Sequence, residues 1–376
     1  MSHLFSPLEI NSPQGTLKLE NRIVVAPMCQ YSAIDGYAND WHLSHWSSLF
    51  NSGAGMFIIE ATAVTPEGRI TPNCLGLWDD AHAASIENHL ERARKLAPHI
   101  PVCIQLAHAG RKASSAIPWK GGQLLPIGQG LNDGWETFGP SAIPHLSKER
   151  SPHELDKANI ERIVQGFARA AAYSQKIGID AIELHAAHGY LLHQFLSPVS
   201  NQRTDQYGGS FENRIRFLLE VFDEVRSSFK GAIGVRISAT DWVDEGWTPQ
   251  ETAELSLILK NLGANFVHIS SGGVSSEQKI ALGPNYQVPF AKLAKDKSDL
   301  TTIAVGLITD PLQADQIIQK GEADLVALAR AFLYKPRWGW EAAAALNAKV
   351  QSSPQYWRCL PREAQHIFEI SGVGGR

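Results

Sequence analysis

Ile179-Asp-Ala181-Ile182-Glu183-Leu184-His185-Ala-Ala-His188-Gly-Tyr190 is the stretch that decides the fold. Gly178, just before it, closes an amphipathic segment where a helix needs a left-handed residue at its end. Ala181–His185 is short, largely apolar and without clear alternation, as a strand buried on both faces of a parallel sheet reads. The same unit recurs along the chain. Ile23–Ala26, Met56–Glu60, Val102–Leu106, Ile233–Ile237, Phe266–Ser270, Thr302–Val305 and Leu325–Leu328 give seven further strands. Helical patterns fall between them at Ala81–Ala97, Leu155–Lys176, Phe211–Phe229 and Thr248–Leu262, and Thr309-Asp310-Pro311 opens another with a cap residue before proline. Gly178, Gly263 and Gly321 each separate a helix from the next strand. Eight strands, each followed by a helix, is the count of an α/β (β/α)8 TIM barrel, since a doubly wound sheet usually stops at fewer.

The chain has 376 residues, 44% hydrophobic and 19% charged, with net charge -4 and a pI near 6.4. That balance offers no basic patch for nucleic acid or anionic membrane, so neither is expected as a partner. The N-terminus lacks a basic stretch followed by an apolar one, and no apolar run approaches the ~20 residues of a membrane span. Cys29, Cys74, Cys103 and Cys359 are scattered without a C-x-x-C pair, which speaks against disulfide frameworks, zinc ribbons and iron–sulfur clusters. A cytoplasmic protein is expected, and no metal. With no low-complexity linker or repeat, residues 1–376 are expected to form a single domain.

The active site of such a barrel lies at the C-terminal ends of the strands. This chain places there Pro27-Met28-Cys29-Gln30-Tyr31, Ala61-Thr62-Ala63, Gln105, His185-Ala-Ala-His188-Gly-Tyr190, Arg236, Ser270-Ser271-Gly272-Gly273, Gly306, and Ala329-Arg330. The last three ends suit a phosphate, because glycine lets backbone N–H groups approach an anion and helix N-termini favour it. Long loops after strands three and four, Ala109–Arg150 and Ala186–Ser210, are expected to bind or cover a ligand. Taken alone, His185 and His188 read equally as a packing pair or as two metal ligands, although no third ligand shows metal spacing.

Several strings in order carry a resemblance over essentially the whole chain. They are Asn21 to Cys29, Glu60-Ala-Thr-Ala63, Gln105-Leu-Ala-His108-Ala-Gly-Arg111-Lys112, His185 to Leu191, and Asn201 through Arg203-Thr-Asp205 to Tyr207-Gly-Gly-Ser-Phe-Glu-Asn-Arg214. Together they resemble the Old Yellow Enzyme family of FMN-dependent ene-reductases. Cys29 and His188 resemble its thermophilic-like branch, with xenobiotic reductase-like NADPH dehydrogenases; the other branch has threonine and asparagine there.

The resemblance implies FMN as cofactor, NADPH or NADH as reductant and an electron-poor alkene as substrate. Reduced flavin delivers hydride to the β-carbon of an α,β-unsaturated carbonyl. His185 and His188 then hold the carbonyl oxygen, where negative charge builds, and Tyr190 gives the proton to the α-carbon. Pro27, Met28, Cys29, Ala61, Gln105 and Arg236 are expected to line the flavin. Gly272, Gly306, Ala329 and Arg330 are expected around its phosphate. Tyr31 is expected to face the substrate. Gln355-Tyr356-Trp357-Arg358 resembles a segment that crosses a subunit interface, so that Arg358 contacts the neighbour's flavin and Trp357 its substrate pocket. A homodimer or homotetramer follows, with about 350–376 contributing to the neighbour. Arg111 and Lys112 could meet a 2′-phosphate or simply be solvated. Two rival readings are a flavin-free barrel lyase or isomerase of phosphorylated substrates and a non-catalytic flavin-binding sensor.

Overall fold

The computed structural model describes residues 2–98 and 100–368. Eight parallel strands close into a barrel: β1 (Ile23–Val25), β2 (Met56–Ala63), β3 (Val102–Ala107), β4 (Ala181–Ala186), β5 (Ala232–Ser238), β6 (Phe266–Ser270), β7 (Thr301–Val305) and β8 (Leu325–Leu328). Every expected strand is present, each within three residues of its expected ends. The outer helices are α1 (Asp40–Phe50), α2 (Asp80–Leu96), α3 (Lys157–Lys176), α4 (Phe211–Ser228), α5 (Pro249–Asn261), α6 (Val288–Ser298), α7 (Pro311–Gln319) and α8 (Trp338–Ala345). Local chemistry sets their ends. Asp156 caps α3 by accepting the Asn159 N–H, Thr248 and Glu251 form a reciprocal capping box on α5, and Gly178 follows α3 at φ +70°.

The period-two pleat sorts the barrel interior into storeys. At the bottom, Cys103, Ala181, Ala232, Phe266, Ile303 and Leu325 form an apolar plug. Gly234 makes room for the Phe266 ring: a Cβ there would lie 2.1 Å from it. Two residues further up, the same rows turn polar with Gln105, Glu183 and His268, all buried. The next step brings His185, Arg236 and Ser270. Along β4, the inward row is therefore Ala181, Glu183, His185.

An N-terminal hairpin, Leu8–Ser12 paired with Gly15–Leu19, was not anticipated. Its Ile10 and Leu19 join the apolar plug. The Gln14 N–H donates to the Lys230 carbonyl, and Asn265 Nδ2 donates to the Asn11 carbonyl at 2.6 Å. These anchors precede β5 and β6, so the hairpin stoppers the end of the barrel opposite the site.

Both long loops are partly built. In the first, Trp135 donates to the Glu67 carbonyl at 2.9 Å under the Arg69 guanidinium, and Phe138–Gly139 pairs with His153–Glu154. The second is not all loop, because it contains the short helix Leu191–Leu196. The C-terminal segment folds back on α8, where Val350 bridges to Phe368 and both pack with Trp340 and Ile367.

Candidate active site

The centre of the site is the left-handed turn that leaves β4. His188 and Gly189 have φ +58° and +75°. A Cβ on Gly189 would lie 2.1 Å from the Gly273 carbonyl oxygen, so only glycine fits. Five hydrogen bonds pin this turn. The His188 N–H donates to Ser238 Oγ (2.9 Å), the Gly189 N–H to His193 Nδ1 (2.9 Å), Gln194 Nε2 to the Gly189 carbonyl (2.7 Å), and Lys112 Nζ to the carbonyls of His188 and Gly273 (both 2.9 Å). Because His193 Nδ1 accepts, its proton sits on Nε2, which donates to Asp241 Oδ1 at 2.8 Å. Burial opposes the Asp241 charge, but His193, Ser197 and the Trp247 N–H outweigh it and hold the carboxyl below its usual range.

The turn brings three rings together. His185 and His188 have ring centroids 5.2 Å apart, and His185 and Tyr190 4.9 Å, each nearly edge to face. Burial, followed by the Arg236 charge, pushes both imidazoles well below the usual histidine range, so each is a neutral N–H donor at pH 7. His185 Nδ1 is buried without a partner, whereas His188 Nε2 lies 2.7 Å from Ser270 Oγ. Burial, with Cys29 and Tyr31 nearby, drives the Tyr190 phenol up, keeping it protonated.

Opposite them lies the segment after β1. Tyr31 sits at φ +50°, and the Gln30 N–H donates to Glu60 Oε1 at 3.1 Å. Glu60 and Ala61 stand at a register shift between β2 and β3, where a bulge re-aims the chain. Burial raises the Cys29 thiol well above its usual range, with Cys74 and Glu60 adding to the effect. It is a thiol here, unsuited to nucleophilic attack. Tyr31 meets Trp119 of the first long loop edge to face at 5.9 Å, beside a cavity of about 360 Å3.

Arg236 stands opposite His185 in the β4–β5 register and is 7% exposed. It makes no ion pair or hydrogen bond among the described residues, and its Nε is buried and unpartnered. The structural ion pair that could have explained it is absent there. Gln105 donates its amide to Glu183 Oε1 at 2.7 Å, leaving its own carbonyl oxygen for another partner.

The phosphate reading narrows. Asp310 caps α7 by accepting the Gln313 N–H, and Gln313 Oε1 accepts from Thr309 and Asp310, so that helix start is already satisfied. The Gly272 N–H donates to the Thr240 carbonyl. Gly306 sits at φ +115°, and a helical turn begins at Ala329-Arg330. Arg111 and Lys112 do not await a 2′-phosphate. Arg111 donates to the carbonyls of Ile143, Pro144 and Val274, and Lys112 is the clamp described above. Arg358 is exposed, and Trp357 packs on the α8 side; neither reaches this chain's own site.

An unpartnered buried guanidinium, a buried imidazole nitrogen without a partner and a free amide carbonyl at one barrel mouth fit the anionic pyrimidine edge and carbonyl-bearing partner of a flavin. The family model described as NADH:flavin oxidoreductase / NADH oxidase matches residues 3–349. An NADPH dehydrogenase of Geobacillus sp. is 42% identical over 94% of this chain and 98% of its own, and one of Bacillus subtilis is 40% identical over the same shares. The chain belongs to the Old Yellow Enzyme family. Among solved structures, morphinone reductase superposes with a TM-score of 0.75 at 25% identity, covering 99% of this chain and 94% of its own. For an Old Yellow Enzyme, the residues that sequence reading missed are the supports Glu183, His268 and the His193–Asp241 pair, whereas Ser270 and Glu60 were noted only as parts of longer strings. Glu183 and His268 carried one sequence signal, a polar residue inside an otherwise apolar strand, while His193 on its short helix and Asp241 in the loop after β5 carried none.

Proposed function

We infer that this Old Yellow Enzyme reduces electron-poor C=C bonds with FMN and NAD(P)H, and that His185, His188 and Tyr190 carry the reaction. The observation behind the roles is a pair of neutral imidazoles at the barrel mouth, with buried His185 in ring contact both with His188 and with the protonated Tyr190 phenol. Held by these residues and reduced by NAD(P)H, FMN would supply the hydride that reaches the β-carbon of an α,β-unsaturated carbonyl. The two imidazole N–H groups hold the substrate oxygen where negative charge develops, and a preorganised donor of this kind contributes about 3 kcal/mol. Tyr190 O–H gives the proton to the α-carbon, and Arg236 balances negative charge on the pyrimidine edge. Gln105, Ala61, Cys29, Met28 and Pro27 line the ring, and Gly306, Ala329 and Arg330 surround the phosphate, with Gly272 beside them but its own N–H already bonded to Thr240. Tyr31 and the cavity beside it take the substrate's far end.

The same reading has residues 1–376 as one domain, in the cytoplasm, with Arg358 and Trp357 donated to a neighbouring subunit of a homodimer or homotetramer. Support comes from Arg358 lying exposed outside its own site. Among the described residues, no helix is long and apolar enough to cross a membrane. A flavin-free lyase would have no use for an unpaired Arg236 beside Gln105.

The purified protein is expected to be yellow, and p-hydroxybenzaldehyde should produce a long-wavelength charge-transfer band. Joint replacement His185→Ala and His188→Ala should abolish that band while the protein keeps its colour. A protein that stays colourless after reconstitution with FMN sinks the whole reading.

A further inference from the structure

Gln105, Glu183 and His268, on β3, β4 and β6, lie one storey beneath the histidine pair, and Arg236 on β5 stands level with His185. Glu183 has no exposed surface, and neither does His268. Glu183 accepts from Gln105 Nε2 at 2.7 Å through Oε1 and from His268 Nδ1 at 2.8 Å through Oε2. The proton of neutral His268 therefore sits on Nδ1, which agrees with the unpartnered buried Nε2 on its far side. A carboxylate sealed into a barrel core needs a compensating charge. The nearest is Arg236, one storey above and beyond ion-pair distance. Glu183 thus balances the guanidinium without occupying its N–H groups.

We propose that Glu183 is a positioning residue that sets the reduction potential of the bound flavin: it offsets part of the Arg236 charge and fixes Gln105 with its carbonyl oxygen toward the ring. This rests on the function proposed above. Two anions would otherwise compete for one cation. Reduction places negative charge on the flavin edge facing Arg236, and Glu183 holds a prior share of that field. With Glu183 ionised, the reduced state gains less from Arg236 than it would alone. Burial works against the Glu183 charge, but His268, Arg236 and Gln105 together keep its carboxyl below the usual range.

The test is a photometric redox titration of the FMN-loaded protein against a reference dye. Glu183→Gln keeps the shape and removes the charge; its carbonyl still accepts from Gln105, and its NH2 can meet His268 Nδ1 once that ring carries its proton on Nε2. It is expected to raise the ratio of reduced to oxidised flavin at fixed potential about tenfold, about 30 mV for a two-electron couple. Glu183→Asp, which keeps the charge, should stay near the parent value. If Glu183→Gln does not fold, His268→Leu removes the donor that keeps Glu183 ionised and should shift the potential the same way. An unchanged potential in whichever variant holds FMN overturns the proposal. Failure of the parent protein to take up FMN would instead overturn the functional reading beneath it.

Discussion

The Lys112 ammonium lies 5.3 Å from the centre of the Tyr190 ring, and the same nitrogen donates to the carbonyls of His188 and Gly273. One cation thus ties the β4 turn to the loop after β6 and faces the phenol proposed to give up its proton. Burial, with Arg111 nearby, pulls Lys112 down to about 8, so it is still charged at neutral pH. Replacement Lys112→Met should slow the alkene half-reaction about tenfold, the effect of roughly 1.4 kcal/mol of a desolvated cation–π contact. Reduction by NADPH should change less. Stopped-flow traces of the two half-reactions separate these, and equal slowing of both would reject a role directed at Tyr190.

Tyr190→Phe removes the proton but keeps the ring against His185. The rate of 2-cyclohexenone reduction should fall by about 10² or more, the lower range for a lost general acid. Phenol binding to the histidine pair should persist. A variant that reduces the enone at the parent rate would show that solvent, not Tyr190, supplies the proton.

Asp241 has no exposed surface and accepts from His193, Ser197 and Trp247. Asp241→Ala leaves those donors stranded, and losing one partner of a buried pair costs about 3–5 kcal/mol. Thermal unfolding should show a clear loss of stability, with weaker phenol binding because His193 no longer braces Gly189. Unchanged unfolding would mean the pair is incidental.

Four buried or half-buried histidines, His42, His45, His108 and His145, are pulled down to about 4, mainly by burial. A depressed group contributes stability that is complete above its unfolded value near 6.5 and is lost as pH falls through about 4. Glu60, pushed up to about 8 by burial, works the other way between its usual 4.5 and 8. Four groups against one leave a net loss on acidification. The unfolding midpoint should therefore drop between pH 6.5 and 4.5, and a flat or rising midpoint over that window would contradict these assignments.

The barrel was legible because its strands are buried on both faces and punctuated by caps and glycines, signals that survive in a single chain. The N-terminal hairpin was not, since Leu8–Leu19 mixes exposed and buried positions and only its packing on the barrel floor gives it a purpose. At the site, His185, His188, Tyr190 and Arg236 could be named from their places at strand ends. Glu183 and His268 escaped because a strand read as evenly apolar hides its inward row. The step Ala181, Glu183, His185 is visible only once one knows which face looks inward. Lys112 was misjudged for a related reason: nothing local shows that two carbonyls from distant loops close over it.

The N-terminal hairpin closes the end of the barrel opposite the site. With the floor apolar and plugged, the barrel is a vessel with a single opening, and whatever enters must leave by the way it came. Nicotinamide and alkene then take turns at one doorway, so that an excess of either should keep the other waiting.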